Sequence, residues 1–164
     1  MKAIAVVILL ACLAGGGYYA YTLSAGPELP AAQPVDPPAD AEYVADFFGA
    51  ETPPHVVIKT AREDPSTIGA MVGLWLSDRG WDGEILGVQE TQTGTRLSLQ
   101  ADHISVPGQI AVICNVPGAV DVEKGGWAKV RGSIADIVMS TDVLLVPHKV
   151  VLADVTVLAS RPAP

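Results

Sequence analysis

Residues that supply most catalytic and metal-binding groups are scarce in this sequence. Its 164 residues include three histidines and two cysteines, and no two of these stand at the spacing of a metal-ligand pair. Outside the uncharged residues 3–23, the sequence has neither a glycine-rich phosphate loop nor a serine in a strained glycine-rich turn. We therefore predict no catalytic residue, no metal site and no cofactor.

The two cysteines also exclude an intramolecular disulfide, because they belong to different parts of the chain. Cys12 lies inside a long apolar run near the N-terminus, whereas Cys114 follows the apolar residues 110–113. A lone cysteine in such a run is typical of a small buried hydrophobic residue, and we predict that role for Cys114.

Positive charge is scarce too. The chain has 10 Lys plus Arg against 18 Asp plus Glu, a formal net charge of -8. From residue 40 onward the balance is 9 against 16, a net charge of -7. Binding to nucleic acid depends on Lys and Arg that neutralise phosphates, so these charges argue against nucleic acid as a partner.

One long uncharged run dominates the N-terminus. Residues 3–23 carry no charge, and their length of 21 residues is close to the roughly 20 that a helix needs to cross a bilayer. Lys2 precedes the run, and the far end holds three tyrosines, which favour the headgroup layer: Tyr18, Tyr19 and Tyr21. We predict a single-pass anchor over residues 1–25 in a bacterial inner membrane, with the C-terminal domain in the periplasm.

Two alternatives stay open for the same residues. Leu9-Leu10-Ala11-Cys12 loosely matches a bacterial lipobox, in which Cys12 would carry the lipid after cleavage. A small-residue site at Leu23-Ser24-Ala25 would instead fit a cleaved secretory signal. All three interpretations carry the rest of the chain out of the cytoplasm.

Residues 26–39 follow as a proline-rich linker. Five prolines stand among Ala, Gln and Asp in this stretch. Such a composition favours extended polyproline conformations and has too few large apolar side chains to pack. We predict a semi-rigid spacer that leads to one domain over residues 40–160.

The first part of that domain, residues 40–80, is predicted to be a helical lead-in. Asp40 can cap a short helix that runs to Phe48 and ends at Gly49. The sequence then predicts a break at Pro53-Pro54 and an extended segment over residues 56–60.

A second helix is predicted over residues 65–79. Asp64 and Pro65 are typical of a helix start, and Gly80 is typical of a stop. One apolar stripe at helical spacing joins Ile68, Met71, Val72, Trp75 and Leu76. A pair of strands around residues 77–80 is the alternative.

From residue 82 to 158 the sequence predicts short strands separated by turns. Apolar and polar residues alternate, as in Leu97 and Leu99 against Arg96 and Ser98. The predicted strands cover residues 83–90, 95–100, 109–115, 127–138 and a final stretch of 142–146 and 150–158, which Pro147 divides. We predict a mainly β fold with one or two helices, an OB-fold-like five-stranded Greek-key barrel behind an N-terminal transmembrane helix.

Four stretches carry a family resemblance: residues 110–115 (IAVICN), 124–126 (KGG), 130–134 (VRGSI) and 151–155 (VLADV). Their hydrophobic rhythm and glycines resemble the tRNA-anticodon-binding-like branch of OB folds, over about the C-terminal half of the chain. The resemblance implies an OB barrel in an exported or membrane-anchored bacterial protein. It identifies no functional residue.

The architecture is also similar to that of the haem chaperones of cytochrome c maturation. Those proteins place an OB barrel behind an N-terminal anchor and capture haem with a histidine close to a tyrosine. The candidate histidine here is His148, and no tyrosine follows it. This departure from the family pattern argues against haem as a ligand.

Three cations on the predicted barrel form the candidate binding site. Lys129 and Arg131 share one outward strand face, and Arg96 lies on a neighbouring hairpin. OB folds commonly bind ligands on a strand face and its adjoining loops. A basic patch of these residues is one interpretation, and ordinary solubilising charge is the other. Trp81 and Trp127 are interpreted as core caps or as stacking platforms.

The first functional hypothesis is a non-catalytic binding module. It would recognise a protein, a peptide or a small ligand in the periplasm and contact the membrane through its N-terminal helix. A carrier or chaperone that delivers a small molecule to a membrane machine is an alternative, and it predicts a concave apolar pocket in the barrel mouth. A hydrolase with an unrecognised site is a third, and it predicts convergent polar side chains with perturbed titration.

Overall fold

The computed structural model describes residues 29–142 and 146–164. The predicted anchor and Cys12 lie outside these residues, and no helix within them is long and apolar enough to span a bilayer. Five strands dominate the described part: β1 (Trp81–Glu90), β2 (Gly94–Gln100), β3 (Ile110–Pro117), β4 (Trp127–Val138) and β5 (His148–Arg161). The prediction of a mainly β domain with five strands and few helices is confirmed.

The five strands close into a barrel in the order β1-β2-β3-β5-β4. Every pairing is antiparallel except that of β3 with β5, which is parallel. Along β2, Leu97 and Leu99 are buried while Arg96 is exposed, so the predicted alternation places the correct face in the core.

Aliphatic side chains fill the interior of the barrel. The buried set draws on all five strands and includes Ile85, Leu97, Leu99, Ile110, Val112, Val130, Ile134, Val150 and Leu152. Cys114 belongs to the same core, fully buried as predicted, and burial raises the pKa of its thiol. A thiol of this kind is an inert packing group at neutral pH.

Three short helices precede the barrel: α1 (Val44–Phe48), α2 (Pro54–Glu63) and α3 (Ile68–Met71). Gly49 ends α1 with a φ of 71°, at the residue that the sequence predicts. The predicted start of α1 is wrong, because Tyr43 and not Asp40 precedes its first turn.

α2 corrects the interpretation of the two prolines. Pro54 occupies the first turn of this helix, where a missing amide hydrogen removes no helical hydrogen bond. The predicted break at Pro53-Pro54 is therefore a helix start. The extended segment predicted over residues 56–60 is wrong, because these residues lie inside α2.

The helix predicted over residues 65–79 is wrong beyond its first turns. Asp64 caps a 3-10 turn, Pro65–Thr67, by accepting a hydrogen bond from the Ser66 amide at 3.0 Å. α3 then ends at Met71, and Gly73 takes a φ of 93° that a helix does not tolerate.

Residues 73–76 pair with β4 instead of continuing the helix. The Gly73 amide donates to the carbonyl oxygen of Ile134 at 2.7 Å, and the Ile134 amide donates to that of Leu74 at 2.8 Å. Leu74 and Leu76 are buried as a result. Trp75 and Leu76 of the predicted stripe thus reach the core in an extended conformation, whereas Val72 is exposed. The extended pairing is available because β4 has free main-chain groups beyond the residues that pair with β1.

The final strand also differs from its prediction. Asp142 and Val146 lie outside any strand, so the segment predicted over residues 142–146 is wrong at both ends, and residues 143–145 lie outside the described part. β5 begins at His148, directly after Pro147, which has no amide hydrogen to donate to a ladder.

Residues 30–36, called the strap below, lie against the barrel. The Ala32 amide donates to the carbonyl oxygen of Ala119, and the Ala119 amide donates to that of Pro30, each at 2.8 Å. Further along, the Val35 amide donates to Thr156 Oγ1 at 2.8 Å. The prediction that this stretch does not pack is wrong, because main-chain hydrogen bonds hold it where large apolar side chains are lacking.

Candidate functional site

Arg131, one of the three predicted cations, is tied into the structure. Its side chain is 12% exposed, and its two terminal nitrogens donate to Asp78 at 2.6 Å and to Asp36 at 3.1 Å. The nitrogen that binds Asp36 also donates to the carbonyl oxygen of Val35 at 3.1 Å. Arg131 therefore joins β4 to the strap and to the loop before β1, and its charge is neutralised there.

Arg96 and Lys129 lie far apart on the barrel. Arg96 on β2 stands opposite Gln89 of β1, and Lys129 on β4 stands opposite Asp82 of the same strand. The two β1 positions are separated by roughly 20 Å at the rise of an extended strand. The structure therefore does not bring these two residues and Arg131 into one basic patch.

Arg96 does line a groove of its own, called the Arg96 groove below. This groove has a volume of about 440 Å³ and lies between the β1–β2 turn, the strands β2 and β3, and the middle of β5. Its lining residues are Thr91, Thr93, Thr95, Arg96, Asn115, Val116, Pro117, Ala153 and Asp154. Hydroxyl, amide and charged groups thus surround a space large enough for a few side chains of a ligand.

The guanidinium group of Arg96 is oriented by its neighbour on β3. Arg96 Nε donates to Asn115 Oδ1 at 3.1 Å, and Asn115 Nδ2 donates to the carbonyl oxygen of Leu152 at 3.2 Å. Among the described residues, none accepts a hydrogen bond from the two terminal nitrogens of Arg96. A planar fork held at one nitrogen and open at two is suited to a carboxylate.

A second charged residue reaches the same groove through a β-bulge. The register between β4 and β5 slips between the pairs Arg131–Thr156 and Ser133–Ala153, which leaves one extra residue on β5. Asp154 lies in this bulge with a φ of 52°, and among the described non-glycine residues it is the one with a positive φ. Such outliers occur most often at functional sites, and a bulge changes the direction of a side chain.

A larger cleft lies at the opposite end of β1. It has a volume of about 630 Å³, and its lining residues are Glu51, Thr52, Pro53, Pro54, His55, Arg79, Gly80, Trp81, Asp82, Glu84, Gln100, Ala101 and Asp102. Trp81 is buried there and donates from Nε1 to the carbonyl oxygen of Thr52 at 2.7 Å. Of the two predicted roles for Trp81, core cap and stacking platform, the structure shows the core cap.

Beside this cleft, two histidines from separate segments stack on each other. The ring centroids of His55 and His103 are 3.7 Å apart, and the ring planes differ by 5°. Burial lowers the pKa of His55, and the nearby His103 lowers it further. The stack joins the start of α2 to the loop between β2 and β3.

Two carboxylates of the cleft, Asp82 and Asp102, serve local structure. Asp102 accepts from the Ile110 amide at 2.6 Å and from Gln100 Nε2 at 2.7 Å, which orders the loop between β2 and β3. Asp82 accepts from Trp127 Nε1 at 3.1 Å. Within residues 29–142 and 146–164, no three His, Cys, Asp or Glu side chains are arranged to hold a metal ion.

Sequence reasoning identified Arg96 and missed its partners in the groove. Asn115 and Asp154 occur within apolar, β-branched stretches, where polar residues of low strand propensity are unusual. That contrast was a usable signal for a bulge at Asp154. No signal in the sequence indicated that Asn115 lies directly across the ladder from Arg96.

Comparison of the chain with protein-family models, with curated proteins and with solved structures found no match.

Proposed function

We propose that this protein is a membrane-tethered, extracytoplasmic binding module without catalytic activity, and that its ligand occupies the Arg96 groove. The fold we assign to it is an OB barrel of the tRNA-anticodon-binding-like type. The strand order β1-β2-β3-β5-β4 with a parallel β3–β5 pair supports that assignment. OB folds bind ligands on the face of strands 2 and 3 and on the adjacent loops, which is where this groove lies.

The observation that carries the proposal is the state of Arg96. Its guanidinium is fixed by Asn115 and keeps two terminal nitrogens open in a groove. A fixed side chain loses little conformational entropy when it binds, so it is prepared for a ligand. An Arg fork matches a carboxylate, and the acidic charge of the domain argues against phosphate-rich polymers. We infer a peptide or small molecule that carries a carboxylate.

Asp154 refines the ligand further. Its carboxylate lines the same groove as the Arg96 guanidinium, so the groove presents one cation and one anion. Thr93, in the turn between β1 and β2, lines the same groove. A ligand with both a carboxylate and an amino or amide group is complementary to this arrangement.

The test uses the full-length chain in detergent micelles and a set of short peptides with free C-terminal carboxylates. We expect these peptides to shift the NMR signals of Thr93, Arg96 and Asn115 and to leave the His55 region unchanged. Arg96→Gln should weaken binding by about tenfold or more, because a charge-assisted pair is lost. Lys129→Gln is the matched control, since it removes one half-buried cation on β4, opposite the far end of β1.

Equal loss of binding in Arg96→Gln and Lys129→Gln would indicate general charge attraction and contradict the proposed site. The same peptides with amidated C-termini provide a second control. If the amidated forms bind as well as the free acids, then the carboxylate is not what Arg96 recognises.

A further inference from the structure

The second half of β1 has an open edge, defined here as residues 86–90. β1 pairs with β4 only over residues 81–84, and Ile85 makes the last contacts on that side, with Gly125 and Gly126 at 2.8 Å. Beyond Ile85 the strand pairs with β2 on its other side. In the described part of the chain, no main-chain hydrogen bond reaches the open edge from the β4 side.

The alternation of hydrogen bonds shows which groups point to that side. The hairpin closes with the Thr91 amide donating to the carbonyl oxygen of Gly94 at 2.8 Å. In an antiparallel ladder such bonded pairs recur at every second residue, so Gln89 bonds to β2. The amide and carbonyl groups of Val88 and Glu90 therefore point away from β2 and towards solvent.

Apolar side chains accompany these free groups. Leu86 is 41% exposed and Val88 is 38% exposed. A Cβ added at Gly87 would meet no atom within 4 Å, so the sheet face above Gly87 is open. Edge strands are usually protected by lysine, proline or a bulge. The open edge has no lysine or proline, and the bulge between Ile85 and Gly87 ends before Val88.

We propose that the open edge pairs antiparallel with the same edge of a second copy of this chain, about a two-fold axis at Val88. In this register the two Val88 residues face each other and exchange both of their free main-chain hydrogen bonds. Gly87 faces Gln89, and Leu86 faces Glu90. This interface is separate from the proposed ligand site, because the Arg96 groove lies on the β2 side of β1.

The sequence of the edge is complementary to itself in this register. Each Glu90 stands opposite a leucine, so no like charges face each other across the pair. Val88 supplies a β-branched pair at the centre, which favours pairing. Glycine at 87 leaves room for the longer Gln89 side chain opposite. A two-fold axis uses one surface twice, so a second copy satisfies the edge without any further partner.

Cysteine cross-linking of the full-length chain tests the register, in a Cys12→Ser background that leaves the buried Cys114. Facing residues of a hydrogen-bonded antiparallel pair have Cα atoms about 5.5 Å apart, within the reach of a disulfide. Val88→Cys should therefore form a covalent dimer under mild oxidation. Gln89→Cys is the matched control and should give at least about fivefold less covalent dimer. In the proposed register the two copies of residue 89 do not face each other but are offset along the strands.

A proline variant separates pairing from folding. Val88→Pro removes an amide that points to solvent in the single chain, so the barrel should keep its folded spectrum and lose self-association. Gln89→Pro removes an amide bonded to β2 and should destabilise the barrel itself. Equal cross-linking of Val88→Cys and Gln89→Cys would overturn the proposal. A purified chain that stays monomeric at millimolar concentration would also overturn it, and would leave the edge to a different protein.

Discussion

Among the described residues, Arg131 donates three side-chain hydrogen bonds to residues distant in sequence. Its side chain is 12% exposed, while the side chains of its partners Asp36 and Asp78 are 88% and 91% exposed. Water screens those two carboxylates, so each ion pair contributes little by itself. The hydrogen bond to the Val35 carbonyl is less exposed and adds to them.

We expect Arg131→Met to lower the free energy of unfolding by about 1–2 kcal/mol, because charge-assisted hydrogen bonds to the strap are lost. Urea unfolding measures this value. Lys129→Met is the control on the same strand and should change it by less than about 0.5 kcal/mol. Hydrogen exchange at the Val35 amide should become faster in Arg131→Met alone. Unchanged exchange at Val35 would show that Arg131 does not hold the strap.

His55 gives a prediction for pH. Burial, and then the charge of His103, lowers its pKa below the ordinary histidine value of 6.5, so the unfolded chain binds more protons than the folded chain below that pH. The free energy of unfolding should therefore decrease as the pH falls from 6.5 through the lower folded pKa. Unfolding at pH 8 and pH 5 measures the difference. His55→Gln should reduce it, and an identical pH dependence in that variant would contradict the assignment.

At the scale of elements, the hairpin of β1 and β2 depends on close approach of β3. A Cβ added at Gly94 would collide with the carbonyl oxygen of Val116, which is fixed in β3. A Cβ at Gly87, on the other strand of the hairpin, would enter empty space. Gly94 therefore has a steric reason to be glycine, and Gly87 has none within the single chain.

Gly94→Ala should therefore lower the free energy of unfolding by about 2 kcal/mol or more, as overpacking against the main chain does. Gly87→Ala should change it by less than about 1 kcal/mol. Thermal or urea unfolding of the two variants provides the comparison. A Gly94→Ala variant as stable as Gly87→Ala would mean that β2 and β3 can separate locally at no cost.

Elements also show where local pattern stops being informative. The alternation over β2 predicted a strand and its buried face, because period two is a local property of an extended chain. The stripe from Ile68 to Leu76 predicted a helix, yet residues 73–76 extend along β4. In the structure Leu74 is buried and Val72 is exposed, so the extended conformation buries a different set of apolar residues from the predicted stripe. The free edge of β4 decides between the two conformations.

At the scale of the whole molecule, the strap determines where the chain leaves the barrel. It bonds to Ala119 at one end and to Thr156 and Arg131 further along. Gly118, with a φ of 92°, allows this approach, since a Cβ there would lie 2.7 Å from the Pro30 carbonyl oxygen. The strap therefore attaches the N-terminal segment to the barrel at a defined place.

Two truncations test this role. A chain that begins at residue 37 lacks the strap and should lose about 1–3 kcal/mol of unfolding free energy, because several hydrogen bonds are removed at once. A chain that begins at residue 29 keeps the strap and should unfold like the full-length protein. If both truncated chains unfold alike, then the strap is a spacer after all.

The sequence by itself determined the composition of the domain, its mainly β character and the buried role of Cys114. These properties follow from charge balance and from the spacing of apolar residues along one segment, which do not depend on distant contacts. The proposed anchor over residues 1–25 also rests on such a local property, the length of an uncharged run.

Only the tertiary structure decided which polar residues act together. Asn115 orients Arg96 because β2 and β3 pair in one register, and Asp154 enters the same groove because β5 has one residue more than β4 at that point. The sequence analysis assigned Arg131 and Arg96 the same role in a basic patch. In the structure, Arg131 instead holds the strap through a hydrogen bond to the Val35 carbonyl oxygen. Contacts between distant residues depend on the register of paired strands and on the closure of the barrel. The spacing of residues along a single strand gives no information on either.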